Sequence, residues 1–225
     1  MLRRQTAGSH AMTSLYSQTS QTAPAKSDPR FIGDLMGSYL LESRTKSLAT
    51  VRIFACRARS ISPDTAVVDA PVIGKPGESL TVTFDTLGIL RGHVQRPLGS
   101  GFVIAFNLSP DQRNGLASRI AWLKQRSLHQ VQDRREYKRV LPRAPRAMLT
   151  LGDGQQVACM IIDMSASGVA ISADASPPVG EVVAIGEVAG RVARLLPHGF
   201  AVQFDTVQPL QQLEKLLTPK PDDQG

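Results

Sequence analysis

CRARSISPDTAVVDA at 56–70 and CMIIDMSASGVAISA at 159–173 are one segment written twice. They align without a gap at an offset of 103, which also carries Gly77-Glu78 onto Gly180-Glu181. Further along, GHVQRPLGSGFVIAFN at 92–107 aligns with GRVARLLPHGFAVQFD at 190–205 at an offset of 98. The first copy therefore holds five more residues. They are expected near Asp85 to Leu90, where a hairpin loop absorbs added length at little entropic cost. Register kept across both stretches means two copies of one domain.

Each copy reads as strand. In VACMIIDMS, 157–165, Val157, Cys159 and Ile161 alternate onto one face. GVAIS, EVVAIG, GRVARLL and GFAVQF follow as short runs rich in Val, Ile and Ala, punctuated by Gly and Pro. Such closely spaced strands argue for a small antiparallel barrel and against a βαβ unit. A helical pattern closes each copy. Leu116, Ile120 and Leu123 recur at helical spacing within 110–128, and Leu210, Leu213 and Leu216 or Leu217 share a face within 208–219. FIGDLMGSYLLE, 31–42, is open between a short helix and a lead-in strand. The fold class expected is mainly β: two small antiparallel β-barrels, each followed by an α-helix.

Composition sets the surroundings. No run approaches about 18 uncharged apolar residues, so no transmembrane helix is expected. Arg3 and Arg4 are not followed by an apolar segment, which argues against a secretory signal. Cys56 and Cys159, the only cysteines, sit in apolar runs and read as small buried hydrophobes of a reducing cytoplasm. His10, His93, His129 and His198 are scattered without metal-ligand spacing, so no metal and no resident cofactor is expected. The organisation expected is a disordered tail at 1–28, a first barrel at 29–108, a connecting helix at 109–132, a second barrel at 133–207, and a helix and tail at 208–225. GSHAM, 8–12, is also open to reading as a cloning remnant.

The net charge is +7, and between Arg113 and Arg146 ten Lys or Arg residues stand against Asp133 and Glu136. Within that run lies RREYKR, 134–139. Arg135 and Arg139 are four apart, so two planar guanidiniums can converge on one anion or cover a flat ring. About two dozen residues later comes DMSASG, 163–168, joining an acceptor, a hydroxyl and a glycine at a strand-to-turn junction.

RxxxR followed by DxSxxG, leading into alternating strands, resembles the PilZ domain family. The resemblance covers 133–204 at full strength and 47–107 only as a degenerate copy. It implies a receptor for cyclic di-GMP, in which Arg135 and Arg139 bind phosphate and guanine, with Arg134 as a third cation able to help hold two stacked dinucleotides. Asp163 would accept from the N1–H and exocyclic amine of guanine together, with Ser165 alongside. Gly168 is expected to turn the chain at φ > 0 and bring backbone close to a base. Without the arginines, DMSASG would read as a plain turn satisfying its own amides.

At the places of Asp163, Ser165 and Gly168 the first copy has Ser60, Ser62 and Thr65, and no RxxxR precedes it. It is expected to keep the barrel and lack the ligand. Docking on the second barrel, homodimerisation and presenting a surface to an effector are the roles open to it. Arg57 and Arg59 alternate on one strand and are expected to face solvent. The function expected is non-enzymatic: a cytoplasmic receptor whose domain arrangement changes on binding, acting on an unidentified protein of motility, biofilm or exopolysaccharide control. A basic two-barrel nucleic-acid binder is the alternative. Against it, only seven Phe, three Tyr and one Trp are available for base stacking.

Overall fold

The computed structural model describes residues 29–45, 51–126 and 140–218. The tail expected at 1–28, the end of the connector and the residues after 218 lie outside them.

Two closed antiparallel six-stranded barrels account for the described chain. The first contains β1 (Phe31–Leu41), β2 (Phe54–Ile61), β3 (Thr65–Asp69), β4 (Ser79–Phe84), β5 (Gly88–Leu98) and β6 (Gly101–Phe106). The second contains β7 (Arg146–Thr150), β8 (Gln156–Ser165), β9 (Gly168–Ala173), β10 (Val182–Ile185), β11 (Val188–Leu196) and β12 (Gly199–Phe204). The order around the first is β1-β2-β3-β6-β5-β4, and β7-β8-β9-β12-β11-β10 repeats it in the second. The segment left open between helix and strand is strand β1, which pairs with both β2 and β4.

The repeat extends to irregularities. A bulge between Ala58 and Ser60 on β2 recurs between Ile161 and Asp163 on β8. A second, between Val94 and Arg96 on β5, recurs between Val192 and Arg194 on β11. Gly101 and Gly199 also correspond, and the reason is close approach: a Cβ there would overlap the carbonyl oxygen of Val68 or of Ile171 on the neighbouring strand.

The five extra residues of the first copy do not form a loop. Two lengthen β4, two lengthen β5 and one lies in the turn between them. The longer hairpin matches a longer partner, since β4 pairs with β1 at five positions whereas β10 pairs with β7 at two.

Each barrel has its own apolar interior, and each helix plugs its own barrel. Helix α1 (Pro110–Arg126) buries Leu116, Ile120 and Leu123 in the first core; α2 (Leu210–Leu217) buries Leu213 and Leu217 in the second. Truncating a fully enclosed leucine leaves a cavity. Leu213→Ala is therefore expected to remove about 3 kcal/mol of stability, measurable as a lower denaturant midpoint with unchanged slope. Cys56 and Cys159 occupy equivalent buried positions. Burial drives the Cys56 thiol far above its ordinary range and the Cys159 thiol up to about 12, so both are protonated at neutral pH.

The barrels dock through equivalent strands. Along β2, Phe54, Cys56 and Ala58 face the first core, yet Ala55 and Arg57 on the opposite face are buried too. The second barrel covers them: the Ala55 amide donates to Ser172 Oγ at 2.9 Å, and Ser172 on β9 pairs with the buried Met160 on β8. In the repeat, Arg57 corresponds to Met160 and Asp69 to Ser172. Asp174 adds a bridge to the first barrel, at 2.5 Å from Arg52 and 2.9 Å from Arg44. The expectation that Arg57 faces solvent is thus overturned: it is 1 % exposed, because its outward face is the docking face.

Candidate functional site

On β8, strict alternation from Val157, Cys159 and Ile161 would carry Asp163 into the core. The bulge after Ile161 shifts the phase, so Met164 is buried and Asp163 stays partly exposed on the outer surface. The same device acts on β11. Val188 and Val192 point inward, and the bulge after Val192 turns Arg194 out.

Between these strands lies an open cleft of about 360 Å³. Its polar walls are Asp163, Ser165, Arg194, His198 and Gln203, and Gly168 joins them at the β8–β9 turn. Two features make its floor flat. Ala170 on β9 pairs with Ala201 on β12, and Gly168 pairs with Gln203. A Cβ at Gly168 would lie 2.5 Å from Val202 O, so close strand approach demands the glycine. This corrects the expected reason, because Gly168 opens β9 without a positive φ.

Ser165 closes the hairpin locally. Its hydroxyl donates to Gly168 O at 3.3 Å and lies 3.5 Å from Ser167 Oγ. Ser62 repeats the contact on Thr65 O at 3.2 Å in the first barrel. The hydroxyl that both copies keep therefore has a structural duty in both, and in the second Ser165 also lines the cleft.

The arginine segment, Arg134, Arg135 and Arg139, lies outside the described residues. Its chain neighbour does not. Val140 forms a bridge with Met164: the Val140 amide donates to Met164 O at 2.9 Å, and the Met164 amide donates to Val140 O at 3.0 Å. The residue following RxxxR is thereby paired with the residue between Asp163 and Ser165.

Arg194, His198 and Gln203 were missed from the sequence, since they reach the cleft only through closure of the β9–β12 pair. A usable signal was present in the aligned copies. Ala170, Ala201, Ala193 and Gly168 correspond to Val67, Val103, Gln95 and Thr65. The first barrel thus fills the place of the flat floor with larger side chains, besides lacking the Asp and Gly. Among the described residues no group of three or more His, Cys, Asp or Glu side chains could hold a metal ion, and no helix is long and apolar enough to cross a membrane.

Residues 133–218 match the family model for the PilZ domain. The second barrel, with the segment leading into it, is a PilZ domain. No curated protein matches the chain. Among solved structures it is similar to the Borreliella burgdorferi PlzA protein in complex with c-di-GMP, at 15% identity and TM-score 0.26, covering 81% of this chain and 85% of that one. It is also similar to the Bacillus subtilis inhibitor of motility, MotI/DgrA, at 14% identity and TM-score 0.26, covering 83% and 94%. A third is YcgR from Escherichia coli in complex with c-di-GMP, at 14% identity and TM-score 0.24, covering 80% of each chain.

Proposed function

We propose that the protein is a receptor for cyclic di-GMP, bound by the second barrel alone, and that binding changes how the two barrels sit so as to control a downstream protein. The Val140–Met164 bridge carries this reading, because it joins the residue that follows the arginine segment to the Asp163–Ser165 edge of the cleft. The chemistry is matched on each side. Asp163 offers two acceptors to the N–H edge of a guanine, and the Gly168–Ala170–Ala201 floor accepts a flat ring. Arg134, Arg135, Arg139 and Arg194 supply positive charge for the phosphates. Reorganisation follows only so far as the ligand prefers one arrangement over the other.

Calorimetric titration of the full chain with cyclic di-GMP, with GTP and cyclic GMP as controls, tests the proposal. Saturable heat with the dinucleotide alone is expected, and two ligands per chain would mark a stacked pair. Absence of heat with the dinucleotide overturns it. In the same assay Asp163→Ala is expected to weaken binding by about tenfold, the low end for a charge-assisted contact, with the melting temperature nearly unchanged.

A further inference from the structure

The first barrel reaches across the interface to the chain that leaves the arginine segment. Arg57 donates from Nη1 to Pro142 O at 2.6 Å and from Nη2 to Arg143 O at 3.2 Å. Arg59 donates from Nη2 to the same Arg143 carbonyl at 2.6 Å. Both guanidiniums are held from behind by acids of the first barrel. Asp69 lies 2.5 Å from Arg59 Nε and 3.7 Å from Arg57 Nη2, and Asp34 stands 3.6 Å from each arginine. Burial first, and then the charge of Arg59, lowers the pKa of Arg57, while the two acids oppose the shift.

The far side of the same segment is gripped by α2, whose Glu214 Oε1 accepts from the amides of Arg143 at 2.7 Å and Ala144 at 3.0 Å. Residues 140–144 are therefore fixed at three points: Met164 beside the ligand cleft, the arginine pair of the other barrel, and the closing helix. A second link runs beside it. An inter-barrel cleft of about 190 Å³ has Arg52 and Ile53 on one side and shares Leu196 and His198 with the ligand cleft.

We infer that Arg57 and Arg59 of the first barrel are positioning residues for the ligand site of the second. By holding the Pro142 and Arg143 carbonyls they fix the chain through Val140 and its bridge to Met164, between Asp163 and Ser165 at the edge of the cleft. This rests on the ligand reading above. It assigns the barrel without a ligand site a duty in binding: setting the affinity of its neighbour. Linkage makes the effect mutual, so a ligand that tightens the 140–144 segment strengthens barrel docking by the same factor.

The test uses full-length Arg57→Lys, Arg59→Gln and Arg44→Ala. Lysine keeps its charge beside Asp34 and Asp69 but cannot fork across two carbonyls. Arg59→Gln alters a side chain that is 39% exposed, so it keeps the inference testable if Arg57→Lys fails to fold. Arg44→Ala removes an inter-barrel ion pair that touches neither the 140–144 segment nor the shared wall.

Titration with cyclic di-GMP is expected to show about tenfold weaker binding for the first two variants and wild-type affinity for the third. Without ligand, the amides of Val140 and Met164 should exchange hydrogen faster in the first two only. Wild-type binding with unchanged affinity and exchange in both Arg57→Lys and Arg59→Gln overturns this inference and leaves the receptor reading intact. Equal weakening by Arg44→Ala overturns it too, since docking in general would then be the cause. A wild-type protein that binds no cyclic di-GMP sinks the receptor reading and this inference with it.

Discussion

Arg135→Ala and Arg139→Ala should each lower the affinity for cyclic di-GMP by about 100-fold, with the melting temperature and the far-ultraviolet spectrum unchanged. Each loses a charge-assisted contact worth roughly 1.5–3 kcal/mol, and each loses a guanidinium face over a base worth about 1 kcal/mol. The combined loss of about 3 kcal/mol corresponds to about two decades of affinity. Asp163→Ala removes acceptors from one base edge and leaves the cations, so its effect is smaller. That ranking is itself checkable in one calorimetric series. Both arginine variants binding as tightly as wild type would remove the segment from the site.

The second large effect is on stability and contrasts two glycines two residues apart. Gly101→Ala should lower the stability of the first barrel by about 3 kcal/mol, the upper range for forcing an added carbon into packed structure. The obstacle is backbone: the Cβ would overlap Val68 O, held in the β3–β6 ladder at the Val68–Phe102 and Asp69–Gly101 pairs. Relief requires β3 and β6 to part, which breaks closure of the barrel. Gly99→Ala meets nothing within 4 Å and has no positive φ, so it should be neutral within about 0.5 kcal/mol. A melt of the two variants reads the difference as roughly 15 °C. Equal melting temperatures would mean that strand approach does not explain why both copies have glycine here.

The repeat made the barrels legible, because many inward positions of one copy recur in the other. Cys56 and Cys159, Phe102 and Phe200, and Gly101 and Gly199 each signal one environment twice. What alternation cannot carry is a second boundary. Arg57 lies on the outer face of its own barrel, and period two says nothing about a neighbour covering that face. Nor does it foresee bulges: Asp163 and Arg194 are in phase with the apolar positions before them, and only the extra residue turns them to the surface. The extra length in the first copy went into strands because β1 is long enough to pair with them.

The candidate site divides in the same way. DMSASG was legible as a motif, yet the reason for its glycine was not, since Val202 O approaches from β12, more than thirty residues later in the chain. Arg194, His198 and Gln203 belong to that distant hairpin. Arg134, Arg135 and Arg139 rest on sequence, with Val140 as the nearest described neighbour.

The most direct measurement is a backbone amide spectrum of the full-length protein recorded during titration with cyclic di-GMP. Saturating shifts at Val140 and at 163–168, with the corresponding turn at 60–65 unmoved, are the expected outcome. Shifts at 60–65 in place of 163–168, or a spectrum that does not move at all, would contradict a cyclic di-GMP site confined to the second barrel.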